Sequence, residues 1–90
     1  MANIKQQKKR IRRAIAQRER NLNYRSTIKT LFRRLEATVA AGDAEQVAVQ
    51  ARELEHLIDR AAAESVIHAN NAARKKSRVA RLTQQVAAAA

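Results

Sequence analysis

Apolar positions along this chain recur at intervals of three and four rather than two, a pattern that predicts helices and no strands. Ile28, Leu31, Phe32, Leu35 and Val39 make one such series. At about 100° per residue, Val47, Ala51, Leu54, Ile58 and Ala61 fall within a narrow arc of a second, with Leu57 at its margin. Val79, Leu82 and Val86 share a face with Ala72 in a third. Each stripe reads as plain core, and three of them are enough for a small bundle. No internal repeat is visible.

The punctuation between the stripes agrees. Proline is absent, and the single glycine, Gly42, is followed by Asp43. Gly42 suits the left-handed position after a helix C-terminus. Asp43 suits the next N-cap, with Gln46 three residues on as its capping-box partner. A softer break falls at residues 64–71, where Asn70 and Asn71 offer caps for a third helix. The expected helices run over about 5–41, 44–64 and 70–86, and the closing 87–90 alanine run is expected to fray. The expected fold class is all-α, a three-helix bundle in one domain spanning 1–90.

Unequal helix lengths divide the first helix into two halves. About 37 residues at ~1.5 Å rise give roughly 55 Å, against about 30 Å for the second helix. A tight turn at Gly42 sends the second helix back along the C-terminal half of the first, covering it only to about residue 20. Residues 1–19 are therefore expected to project beyond the bundle. On that projection Ile4, Ile11, Ile15 and Leu22 fall within about 40°, too narrow a stripe for an ordinary core helix. With Lys5 set at zero, Lys8, Lys9, Arg10, Arg12, Arg13 and Arg20 fall between about −60° and +140° on the other side. Lys5, Lys9 and Arg13 form one i, i+4 row and Lys8 and Arg12 another; such rows repel and weaken an isolated helix. The segment is accordingly expected to be largely disordered in the free chain and to become helical on a polyanion.

Charge follows the same division. Residues 1–34 hold twelve Lys and Arg against Glu19 alone, a balance of +11. Residues 35–68 carry −5, with Arg52 and Arg60 against Glu36, Asp43, Glu45, Glu53, Glu55, Asp59 and Glu64. Residues 69–90 return to +5 through Arg74, Lys75, Lys76, Arg78 and Arg81. Arg74, Arg78 and Arg81 cluster within about 60°, opposite the apolar face of the third helix. Two basic ends and an acidic middle point to a polyanionic partner, nucleic acid first, with the acidic second helix facing away from both basic elements.

Composition narrows the classes further. With 90 residues, many of them alanine, the isolated fold should be marginal and gain stability from a partner that neutralises its charge. The chain has no Cys, so it holds neither disulfide nor thiolate metal site. No apolar run is long enough for a membrane span, and the basic opening is not followed by the apolar stretch of a secretory signal. A mitochondrial presequence is also basic and helical, but here the basic pattern runs on to Arg34; a cytosolic location is expected. Tyr24 and Phe32 are the only aromatic residues, which disfavours a reader of single strands by base stacking. What remains is phosphate binding and recognition of the shape of a folded duplex; composition alone does not separate ribosomal RNA from DNA.

Particular residues go further. Met1 to Lys5 with Lys8-Lys9-Arg10-Ile11-Arg12, then Arg20-Asn21, then Ala41-Gly42-Asp43, resemble the family of the bacterial small-subunit ribosomal protein numbered twenty. The run Val66-Ile67-His68-Ala69-Asn70-Asn71-Ala72-Ala73-Arg74-Lys75-Lys76-Ser77-Arg78 is the most specific part of the resemblance, which covers nearly the whole chain. Two places depart from it: Ser65 stands where the family usually has Gly, and the chain ends in alanines where the family tends to end in Lys and Leu.

The resemblance implies a three-helix bundle and a structural constituent of the cytoplasmic ribosome. Such a protein binds small-subunit ribosomal RNA directly through its basic first and third helices and stabilises the RNA fold during subunit assembly. Carried over by position, the RNA-binding residues are Asn3, Lys5, Lys8, Lys9, Arg10, Arg12, Arg13, Arg20, Asn21 and Arg25, together with Arg18. The second group is His68, Asn70, Arg74, Lys75, Lys76, Ser77 and Arg78, together with Arg81. His68 is read as an RNA contact in preference to a plain cap. The implied partners are small-subunit ribosomal RNA and the small subunit itself, with the protein monomeric there. No cofactor, metal, membrane or small-molecule substrate is expected.

A DNA-compacting, histone-like protein is the alternative that composition equally permits. A membrane-active cationic helix fits less well, since its apolar strip is thin and lacks Trp. An enzyme is not expected: His56 lies opposite the apolar stripe between Arg52 and Arg60, and neither His has metal-ligand spacing with an inward-facing partner.

Overall fold

The computed structural model describes residues 3–89, and it consists of three helices: α1 (Ile4–Ala41), α2 (Ala44–Ala63) and α3 (Ala69–Ala89). The all-α bundle expected from the stripes is the one observed, and the described residues contain no strand. The third helix runs to Ala89 instead of ending near residue 86. Alanine is the best helix former, so the run extends the helix where fraying was expected; Ala90 lies outside the described residues.

Each terminus has a local cause. At the start of α1, the Lys5 N–H donates to Asn3 Oδ1 at 3.2 Å, and the Gln6 and Gln7 N–H groups donate to the Asn3 carbonyl at 2.9 and 3.1 Å. At its end, Gly42 adopts φ 77°, and its N–H donates to the carbonyls of Thr38 and Val39 at 3.1 and 3.0 Å. A Cβ at Gly42 would meet nothing within 4 Å, so glycine is required there by backbone conformation alone. Asp43 then caps α2, its Oδ1 accepting from the Gln46 N–H at 3.2 Å. The Gln46 side chain makes no return bond to Asp43, so only half of the expected capping box forms.

α2 closes with the paired hydrogen bonds of a Schellman motif. The Val66 N–H donates to the Ala61 carbonyl at 2.9 Å and the Ser65 N–H to the Ala62 carbonyl at 3.1 Å. Ser65 takes the left-handed position at φ 61°, the one non-glycine among the described residues with positive φ. A Cβ in that region is strained by roughly 1 kcal/mol. Ser65→Gly is therefore expected to stabilise the fold by about 0.5–1 kcal/mol, measured as a rise in the urea midpoint at unchanged m-value.

The start of α3 differs from expectation. The Asn70 N–H donates to His68 Nδ1 at 3.1 Å, and the Ala72 N–H donates to the His68 carbonyl at 3.0 Å. His68, not an Asn, is the cap. With Nδ1 engaged in the cap, Nε2 is the ring nitrogen left for a further partner.

The core joins all three stripes. Leu35, Leu54, Ile58, Val47 and Val79 are fully buried, with Ile28, Phe32, Ala51, Ala61, Ala72 and Val86 around them. Val66 and Ile67, in the connection between α2 and α3, are buried as well, so that segment is part of the core and not only a break. No polar or charged side chain is buried among the described residues. α2 folds back on the C-terminal half of α1, and α3 packs against both.

Every residue of α1 from Ile4 to Arg20 is exposed, and the molecule measures 67 × 21 × 13 Å. The projection is thus observed, but as helix from Ile4 onward and not as the disordered segment expected. Asn3 supplies a cap, and the Lys, Arg, Gln and Ala that fill the segment are good helix formers that offset the like-charge rows. With no tertiary packing on it, its amides should still exchange much faster than those of Leu54–Ile58 in hydrogen exchange on the free protein.

Candidate nucleic-acid interface

Lys5, Lys8, Lys9, Arg10, Arg12, Arg13 and Arg18 are all exposed on the projecting half of α1, and none of them forms an ion pair among the described residues. Their helix has no protein neighbour at that level, so these charges face solvent around most of the circumference.

A second basic surface lies lower, between α1 and α3. Arg25, Lys29 and Arg33 from α1 and Lys75 and Arg78 from α3 line a groove of about 510 Å³, floored by Ile28, Phe32 and Ile67. Glu36 is the only acid in it. Sequence reasoning named Arg25, Lys75 and Arg78 but missed Lys29 and Arg33. The signal was present: Arg25, Lys29 and Arg33 are spaced by four and must share a helix face. On a helical wheel that face lies about 180° from the one carrying Lys9, Arg13 and Arg20, so α1 presents cations on opposite sides at different heights.

Three of the expected contact residues already hold acids of the chain. Arg78 pairs with Glu36 and sits over the Phe32 ring at 4.9 Å from its centroid. Lys76 Nζ lies 3.1 Å from Asp59 Oδ1, and Arg20 Nε lies 3.8 Å from Glu64 Oε2. The acidic helix therefore does not face wholly away from the basic elements: Asp59 reaches α3 and Glu64, just past the end of α2, reaches α1. The turn at Gly42 folds α2 against α1 closely enough for long side chains to bridge. All six side chains are partly exposed, so each pair is worth about 0–1 kcal/mol and is readily exchanged for another anion. Beside Glu64, the Tyr24 phenol is pushed above its ordinary pKa, first by its interaction with that carboxylate and then by burial. Tyr24 packs at the edge of the core.

The remaining sequence-named residues take ordinary places. Arg74, Ser77 and Arg81 are exposed on α3, and Asn70 is exposed on its first turn. Asn3 and His68 spend one side-chain acceptor each on a helix cap, and both residues are exposed. Asn21 is half-buried, and its Oδ1 is shut off from solvent without a hydrogen-bond partner. No group of His, Cys, Asp and Glu suited to a metal ion occurs among the described residues, and no described helix is long and apolar enough to cross a membrane.

The family model described as Ribosomal protein S20 matches residues 2–84. The chain belongs to the ribosomal protein S20 family. The small ribosomal subunit protein bS20 of Corynebacterium diphtheriae is 42% identical over 87 residues, covering 97% of this chain and 100% of that one. Its counterpart in a Roseiflexus species is 44% identical over 89 residues, covering 99% and 97%. That of Nitrosomonas europaea is 42% identical over 79 residues, covering 88% and 91%. The S20 family is one of ribosomal proteins and not of enzymes. The projecting basic helix, the groove and the His68 cap all fall inside the segment that the family model matches.

Proposed function

We propose that this chain is one RNA-binding domain, a monomeric structural constituent of the small subunit of the cytoplasmic ribosome. It binds small-subunit ribosomal RNA directly and holds the RNA fold during assembly. The observation that carries the reading is the projecting half of α1: seven unpaired, exposed cations on a capped helix that no part of the bundle covers. A helix that repels itself along two rows gains most from a partner that brings phosphates to several sides at once.

α1 supplies Lys5, Lys8, Lys9, Arg10, Arg12, Arg13, Arg18, Arg20 and Arg25 as phosphate contacts, to which the groove adds Lys29 and Arg33. α3 supplies Arg74, Lys75, Lys76, Arg78 and Arg81. Asn3, His68, Asn70 and Ser77 mark helix N-termini or exposed edges where neutral donors meet phosphate or ribose oxygens. Asn21 contributes through its amide N–H₂ group, which can donate to a phosphate or ribose oxygen.

Filter binding to small-subunit ribosomal RNA across a salt series tests the reading. Each duplex phosphate contact adds about 0.9 to the log–log slope, less on other geometries, so a slope of magnitude at least ~6 is expected with half the cations engaged. A slope near ~2 by the same rule, or equal affinity for an unrelated DNA duplex, would count against it.

A further inference from the structure

The basic residues of α1 do not account for its apolar strip. Ile4, Ile11, Ile15 and Leu22 are 69%, 59%, 54% and 63% exposed, and nothing in the bundle reaches them. Four large aliphatic side chains on a helix otherwise filled with Lys, Arg and Gln are not needed for folding, since the core begins at Ile28. On the wheel the strip is bordered by Lys8 and Arg12 on one edge and by Arg18 and Arg25 on the other, each edge residue within roughly 60–80° of its centre. Followed toward the bundle, the same face becomes Lys29 and Arg33, at the mouth of the α1–α3 groove.

We infer that this strip is itself a binding site, one that seats on the ribose and base-edge floor of an A-form RNA minor groove. The cations on its two edges would then reach the phosphates of the two strands. The inference rests on the RNA-binding reading above and deepens it. The two cationic edges are staggered, Lys8 and Arg12 beside the outer part of the strip and Arg18 and Arg25 across it nearer the bundle, which suits sugar C–H groups and base edges crossed diagonally between two lines of phosphate. The A-form minor groove is wide and shallow, and it offers that surface to a helix about 10–12 Å across. A second copy of the chain is excluded as occupant, because it would bring Lys8, Arg12, Arg18 and Arg25 against their own kind. A bilayer is excluded by the strip's narrowness and the lack of Trp. The continuity with Lys29 and Arg33 puts the strip on the same face as the groove, so a single RNA surface meets both.

Salt separates this contact from the phosphate contacts, since apolar burial releases no counterions. The experiment compares two double variants of the full chain, Ile11→Gln with Ile15→Gln and Lys9→Gln with Arg13→Gln, in binding to small-subunit ribosomal RNA over a salt series. Gln is at least as good a helix former as Ile, so the first pair does not weaken the helix, and circular dichroism checks this. The isoleucine pair should lose about tenfold or more in affinity at every salt concentration, with the slope unchanged. Ile11→Leu with Ile15→Leu should bind like the parent. The basic pair should instead lower the slope by up to about 1.8.

Parent-like binding by the isoleucine pair, with the basic pair still impaired, would overturn the strip as an RNA site and leave the RNA-binding reading standing. Parent-like binding by both pairs would remove that reading as well. Loss confined to assembled small subunits, with naked RNA bound normally, would assign the strip to a protein neighbour and equally overturn the inference.

Discussion

Replacing Lys9, Arg10 and Arg13 together with Gln is expected to abolish tight RNA binding while leaving the bundle fully folded. All three side chains are exposed on α1 well before its first buried residue, Ile28, and none pairs with an acid of the chain. Each lost charge-assisted phosphate contact costs on the order of 1 kcal/mol or more, so the triple variant should bind at least ~100-fold more weakly. Thermal unfolding of the free protein should be unchanged or slightly improved, because the substitutions remove repulsion along the Lys5–Lys9–Arg13 row. Filter binding and calorimetry on the same preparation measure both. The contrasting control is Glu53→Gln, an exposed acid on α2 outside the three ion pairs, which should leave RNA affinity nearly intact. If the acid variant loses RNA affinity and the basic one keeps it, the assignment of faces fails. Asp59 would be a poorer control, since its loss also frees Lys76.

The second large effect is on stability. Leu54→Ala empties a site of 0% exposure at the middle of α2, among Leu35, Ile58 and Val79, each equally shut off. Leu→Ala at such a position costs about 2–5 kcal/mol. A chain of 90 residues has on the order of 5–13 kcal/mol to lose, so the variant should lose a large part of its stability and unfold at a much lower denaturant concentration. Chemical denaturation followed by circular dichroism at 222 nm reads this directly. Excess ribosomal RNA should restore much of the loss, since a ligand that binds only the folded chain stabilises it by mass action. The basic triple variant shows the opposite pattern, keeping its stability and losing the RNA effect.

The sequence made the helices legible because each stripe keeps one period over several turns. Gly42 and Asp43 were legible for a different reason: few residue types tolerate what a helix end asks of them. The connection at 64–68 was harder. Val66 and Ile67 interrupt the periodicity, and nothing local says that both turn inward; only the approach of α3 to α2 buries them. His68 is an expected RNA contact from its place in a turn beside the basic face, and the structure adds a second use, since its Nδ1 caps α3 once the backbone turns there.

The basic ends were plain from composition, but their arrangement was not. Which cations are free, and which hold Glu36, Asp59 or Glu64, depends on how closely α2 and α3 lie against α1, and that is a property of the packed fold. Lys29 and Arg33 escaped notice because they sit on the half of α1 that carries the core. There the exposed row Arg25–Lys29–Arg33 runs beside the buried Ile28 and Phe32.

α1 runs for 38 residues, about 57 Å at ~1.5 Å rise, with neither proline nor glycine between its free tip and the groove. The tip and the groove are therefore ends of one unjointed rod. Whatever RNA strand the tip holds is kept at a set distance and a set rotation from whatever the groove holds. An RNA fold that places those strands differently must let go of one end or bend the helix against the packing of Phe32 and Leu35. On the proposed RNA-binding reading the chain would work as a gauge: it would tolerate a single spacing between distant parts of an RNA, and its full grip would report that the spacing has been reached.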